Sequence, residues 1–93
     1  MSEPSAAREV QDLIDPIRTF VASHFPLARK LAGPDEPLLE SGIVDSLGIL
    51  EIVNFLTQRF ELDIEDDDLL PENFASVRSI AQFVHAKRAN HTP

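Results

Sequence analysis

Three stretches of this chain repeat apolar residues at intervals of three and four, and none alternates polar and apolar positions as a half-buried strand does. In the first, Val10, Leu13, Ile14, Ile17, Phe20 and Val21 fall on one stripe of a helix. The second repeats Leu47, Leu50, Val53, Leu56 or Thr57, and Phe60, with Ile49, Ile52 and Phe55 widening the apolar surface. The third carries Val77, Ile80, Ala81, Phe83 and Val84. Helices of this kind must bury their stripes against one another, so the pattern predicts an all-α bundle. The chain has 93 residues, too few for two cores and too few for a large internal active site.

Breakers and caps set the boundaries. The first helix is expected over residues 8–24, bent or restarted at Asp15-Pro16, because an interior proline removes one hydrogen bond and crowds the carbonyl four residues back. Pro26, Gly33, Pro34 and Pro37 mark a long connection, with Leu27, Leu31, Leu38 and Leu39 available to pin it to the core. Asp45 is an N-cap candidate for the second helix, and Gln58-Arg59 sits in its last turn, where positive charge is favoured. From Glu61 to Asp68 six of eight residues are acidic, and like-charge repulsion favours a loop or one irregular turn there. Leu70 to Phe74 can make a short helix with Pro71 at its first position, and the last helix follows the cap candidate Ser76 and ends near Lys87 and Arg88. The expected fold is a small four-helix bundle of three main helices and one short one. It forms a single domain over 1–93, with a core at about 8–88 and short flexible tails.

The charge is concentrated. Sixteen acidic residues oppose eight basic ones for a net charge of -8, and residues 31–77 hold twelve of the acids against the single base Arg59. Such a chain repels a phosphate backbone and an anionic membrane surface, so neither nucleic acid nor membrane is expected as a partner. With no cysteine there is no disulfide framework and no thiolate metal site, and packing must hold the fold. No signal-like segment opens the chain and no stretch approaches a membrane span, which points to a cytoplasmic monomer.

Few residues combine into a recognisable chemical centre. Asp63, Glu65 and Asp67 alternate as in a calcium loop, but the sixth position is Asp68 where glycine is needed and the twelfth is Phe74 where a glutamate is needed. The histidines at 24, 85 and 91 have no metal-ligand spacing and read as surface or capping residues. Glycines 33, 42 and 48 form no phosphate-cradling loop, no Ser, His and Asp set can be assembled, and no catalytic or metal-binding residue is expected. One segment stands out: Leu39-Glu40-Ser41-Gly42-Ile43-Val44-Asp45-Ser46-Leu47-Gly48, a loop closing on a helix start with a serine in its first turn. Asp45 and Ser46 would by themselves explain a helix start, since both residue types satisfy orphan amides. The segment also lies mid-chain, after a proline-containing loop and within the acidic stretch.

In that setting it resembles the phosphopantetheine-attachment signature of the acyl carrier protein family. The resemblance runs from the first helix to about Val84, through Phe60-Glu61-Leu62-Asp63-Ile64 and Asn73-Phe74-Ala75-Ser76-Val77. It implies a non-enzymatic carrier whose Ser46 bears a 4'-phosphopantetheine arm, transferred from coenzyme A by a separate phosphopantetheinyl transferase using magnesium, with Asp45 and Leu47 flanking the attachment. A fatty-acyl, polyketide or aminoacyl group would ride on that arm as a thioester, supplied and used by ligase or synthase enzymes. The resemblance also places partner contacts at Asp45, Leu47, Ile49, Glu51 and Asn54, with Val44 just ahead of them and Gln58 and Arg59 at the far end. Unlike the acidic recognition helix of fatty-acid carriers, this segment has only Glu51 inside it. That pattern is closer to carriers of secondary metabolism or to discrete aminoacyl carriers, although the Gly-Gly-His-Ser and Gly-Gly-Asp-Ser motifs of peptide synthetases are absent. The start at Met1 and the short tails favour a free-standing carrier. The alternative is an acidic helical adaptor that binds a basic partner through residues 31–77, with Asp66, Asp67 and Asp68 foremost and no covalent modification.

Overall fold

A computed structural model describes residues 5–30 and 33–90. Three α-helices, α1 (Ser5–His24), α2 (Ser46–Phe60) and α3 (Val77–Asn90), surround one core, and 3₁₀ turns occupy Pro26–Lys30, Asp66–Asp68 and Pro71–Phe74. Among the described residues there is no strand. Helix α1 begins at Ser5 and runs unbroken through Pro16, so no second helix restarts at Asp15. Losing the donor at residue 16 orphans the carbonyl of Asp12, and the exposure of Asp12 and Asp15 puts that side within reach of water. The short helix expected at Leu70 to Phe74 forms as a 3₁₀ turn, Pro71–Phe74, with Pro71 at its start. Of the predicted tails, residues 5–7 and 89–90 belong to α1 and α3, and the remainder, with Leu31 and His91, lies outside the described residues.

The core is the meeting of the three stripes. Leu13, Ile14, Ile17 and Val21 of α1, Ile52 and Leu56 of α2, and Val77, Ile80, Ala81, Phe83 and Val84 of α3 are buried, with Phe74 beneath them. Helices α1 and α3 pack most extensively, flanked by a contact of His85 Nδ1 with Glu9 Oε1 at 3.0 Å. Helix α2 joins through aromatic rings, with Phe55 stacked on Phe20 at 4.2 Å between centroids and set edge-on to Phe60.

The buried face of α2 differs from the predicted stripe. Gly48, Ile52 and Leu56 turn inward, while Leu47 and Leu50 face solvent. Gly48 explains the shift: a Cβ there would stand 2.7 Å from Phe25 Cε1 and 2.8 Å from Val44 Cγ1, so the missing side chain lets the first turn of α2 settle on those residues. Helix α2 ends at Glu61, a non-glycine residue in the left-handed conformation at φ 55°.

The connection from α1 to α2 is held by reciprocal bonding with the start of α3. The Leu38 amide donates to the Ala75 carbonyl at 2.8 Å, and the Arg78 amide, one of the orphan donors of α3, donates to the Pro34 carbonyl at 2.8 Å. Arg78 Nε also reaches Asp35 Oδ1 at 2.8 Å. Leu38 is fully buried and its own carbonyl accepts from the Val44 amide, closing a turn that passes through Gly42 at φ +82°. Of the leucines expected to pin this connection, Leu38 does so, whereas Leu27 and Leu39 are exposed. They lie beside a connection already fixed by backbone bonds and need not be buried.

The acidic stretch after α2 is tied down at one residue. The Asp68 carboxylate accepts from the Glu65 amide at 3.0 Å and from Lys87 Nζ of α3 at 2.8 Å. The backbone hydrogen bond from Glu65, and then Lys87, hold the Asp68 carboxyl below the usual carboxylate range, and the same partner raises the Lys87 ammonium above its ordinary value. Asp66 and Asp67 remain exposed.

Two outcomes follow from this packing. Leu38→Ala should lower unfolding stability by about 2–5 kcal/mol, seen as a lower urea midpoint with an unchanged slope. Because the Asp68 pKa is depressed by folding, its stabilisation is complete above the unfolded carboxylate range and is lost as pH falls through the depressed folded value. The stability difference between wild type and Asp68→Asn should therefore be constant near neutrality, at no more than about 1 kcal/mol, and shrink below about pH 4 in urea melts.

Candidate functional site

The start of α2 is built by its cap. Asp45 holds an extended backbone, φ -103° and ψ -174°, and its Oδ1 accepts from the Gly48 amide at 2.8 Å, while its carbonyl accepts the first helical bond from Ile49 at 3.1 Å. Ser46 is the first helical residue and is exposed. The amides of Ser46 and Leu47 have no acceptor among the described residues, so two donors and the positive end of a 15-residue helix face the space around the Ser46 hydroxyl.

Ser46 differs from the other serines whose side chains are described. Ser23 Oγ donates back to the Thr19 carbonyl at 2.7 Å, Ser41 Oγ to the Leu38 carbonyl at 3.4 Å, and Ser76 and Ser79 bond each other at 3.1 Å. The Ser46 hydroxyl has no such partner among the described residues and stands open to an incoming phosphate ester. An ester on Ser23 or Ser41 would break an existing bond, and Ser76 is buried. The arrangement at Ser46 thus fits a phosphodiester, whose charge would meet the free amides.

Beside the hydroxyl lies a shallow cleft of about 260 Å³, lined by Ser46, Leu39, Ile49, Leu50, Leu69, Leu70, Pro71 and Phe74. Leu39, Leu50 and Leu70, with Leu47 next to Ser46 on the helix, are exposed large apolar residues. Leu47 is 71% exposed and Leu50 54%, which makes the first turn of α2 an apolar surface.

The residues predicted for a partner surface divide. Leu47, Glu51 and Asn54 share the outward face of α2, and Ile49 is half-buried in the cleft wall. Val44 is not on that surface: it is 1% exposed and packs beneath Gly48, because the turn closed by its amide and the Leu38 carbonyl points its side chain into the core. Glu51 is engaged by His24 Nε2 of α1, and Asn54 Oδ1 accepts from Gln58 Nε2 at 3.4 Å. Leu50 of α2, and Leu39, Leu70 and His24 from other elements, were not among the predicted site residues. The available signal was in α2, whose eight apolar residues of fifteen spread over more than one face, so that a second apolar face was bound to meet solvent. Among the described residues no group of three or more His, Asp or Glu side chains is placed to hold a metal ion, and no helix is long and apolar enough to cross a membrane.

Residues 15–84 match the sequence model of a family described as the phosphopantetheine attachment site. Over 54 residues the chain is 39% identical to the probable acyl carrier protein PigG of Serratia sp. (strain ATCC 39006), covering 58% of this chain and 62% of that protein, less than two thirds of its length. The family match spans α2 and its Asp45 cap, with the second half of α1 and the first half of α3. With a helical fold and an open serine at a capped helix start, this chain belongs to the acyl carrier protein family, whose members are carriers of 4'-phosphopantetheine and not catalysts.

Proposed function

We propose that Ser46 is the residue that bears the 4'-phosphopantetheine arm, and that the protein works as a carrier of an acyl, polyketide or aminoacyl group in the cytoplasm. The observation that carries this reading is the Ser46 hydroxyl itself, exposed at the first position of α2 and beside a cleft, where the other described serines are buried or committed to neighbours. The arm, when bound, supplies a terminal thiol on which a group is held as a thioester. This chain has no cysteine, so none of its own side chains can compete for that group by thiol exchange.

The chain's own residues do three things. Asp45 fixes the helix start, so that the Ser46 Oγ projects from a rigid point and not from a mobile loop. The Ser46 and Leu47 amides and the helix dipole favour the phosphate charge at the attachment point. Leu39, Leu47, Leu50 and Leu70 surround the hydroxyl with surface that an enzyme can grip while it reaches the serine. Its partners would be a phosphopantetheinyl transferase and the ligase or synthase enzymes that load and use the group. Tethering the group keeps it at high effective concentration for each of them. The adaptor reading loses part of its contact surface, since Asp68 is committed to Glu65 and Lys87 within the fold.

Incubation with coenzyme A, magnesium and a promiscuous phosphopantetheinyl transferase should raise the intact mass by one arm, and Ser46→Ala should abolish the increase. No increase in the wild-type chain, or one that survives the substitution, would overturn the proposal.

A further inference from the structure

Gly48 stands two residues after Ser46, in helical backbone that any residue can adopt and where alanine is the more favourable choice. What it supplies is the absence of a side chain, and that absence is used for close contact. A Cβ at this position would stand 2.7 Å from Phe25 Cε1, 2.8 Å from Val44 Cγ1 and 3.3 Å from the Asp45 Oδ1 that caps the helix. Gly48 is buried, and its amide is the donor of that cap bond at 2.8 Å. The first turn of α2, which carries Ser46, therefore rests directly on the Phe25 ring.

Phe25 is not free to give way. Its amide donates to the Val21 carbonyl at 3.1 Å and its carbonyl accepts from the Ala28 amide at 3.0 Å, so its backbone is bonded on both sides of the join between α1 and the Pro26–Lys30 turn. Its ring meets Phe20 edge-on at 6.2 Å and His24 at 5.2 Å, and Phe20 is itself stacked on Phe55 of α2. These contacts are separate from the bonds of Leu38 and Arg78 that tie the connection to α3. Resting on the reading of Ser46 as the attachment residue, we infer that Phe25 and Gly48 are a positioning pair for arm transfer. The end of α1 acts through the ring as a stop that sets where the first turn of α2, and with it the Ser46 hydroxyl, lies. Both residues act through Ser46. A side chain at position 48 must widen the contact with Phe25 from 2.7 Å towards the 3.4 Å at which ordinary contact begins. A nucleophile displaced on that scale loses roughly tenfold in rate.

The test is the steady-state kinetics of arm transfer from coenzyme A by a promiscuous phosphopantetheinyl transferase, at a temperature where circular dichroism shows each chain folded. The chains are wild type, Gly48→Ala, Phe25→Leu, the double variant and Val84→Ala. Leucine at position 25 lacks the ring edge that meets Gly48, and Val84, fully buried on α3, supplies a control for lost stability. Gly48→Ala should lower kcat about tenfold with KM for the carrier changed less than about threefold, and the double variant should recover to within about threefold of the wild-type kcat. Val84→Ala should keep the wild-type kcat. Native-state hydrogen exchange reads the contact without any transferase: in Phe25→Leu the Gly48 amide should exchange roughly fivefold faster or more, relative to those of Leu38 and Arg78. Where Gly48→Ala does not fold, the double variant and the exchange measurement decide. A Gly48→Ala kcat equal to wild type, a double variant no faster than Gly48→Ala, or an equal fall in Val84→Ala would overturn the inference while leaving Ser46 as the attachment residue. Unchanged relative exchange at Gly48 in Phe25→Leu would do the same. A wild-type chain that accepts no arm would overturn the Ser46 reading, and this inference with it.

Discussion

The structure depends on how a connection with no long helix of its own is made rigid. Fifteen residues separate the last residue of the Pro26–Lys30 turn from Ser46, and a free loop of that length would let the serine wander. Leu38 prevents this. Its side chain is fully buried, its amide is bonded to the start of α3 and its carbonyl accepts from Val44, one residue before the cap of α2. Pro34 in turn satisfies an orphan amide of α3. Neither element has its polar backbone fully paired without the other, so the loop and α3 are ordered together, and the position of Ser46 follows from both.

That coupling separates stability from display. Residues behind α2, including Val44, Ile52, Leu56 and Phe74, are buried and make the platform. Residues in front, Leu47, Leu50 and the Ser46 hydroxyl, add little to the core and are free to meet another protein. Gly48 sits on the dividing line, because its missing side chain lets the first turn of the helix approach Phe25 and Val44 closely enough to be fixed. A carrier needs this division, since a group handed between enzymes must hang from a point that does not move when either one binds.

Much of the fold was legible in the residues because the relevant physics is local. Helical spacing marks all three helices, Asp45 declares its cap, and the motif around Ser46 falls where the family match covers the chain. The parts that were not legible depend on neighbours remote in sequence. The stripe on α2 was misplaced because Leu47 and Leu50 are as apolar as Ile52 and Leu56, and only Gly48 packed on Phe25 decides which face turns inward. Val44 reads as part of an exposed motif until the Leu38 carbonyl fixes its turn. Pro16 reads as a bend or a restart because spacing alone cannot show that the carbonyl it orphans lies on a side that water can reach. The His24 contact with Glu51 joins residues 27 apart, beyond any helical period.

Native-state hydrogen exchange, resolved by residue, tests the central claim most directly. If the connection is locked to α3 as described, the amides of Leu38, Val44 and Arg78 should exchange through global or near-global unfolding, as slowly as core amides of α3, while those of Ser46 and Leu47 exchange quickly. Rapid exchange at Leu38 and Arg78, at the rate of an open loop, would contradict the account, because Ser46 would then be attached to a segment that moves independently of the bundle.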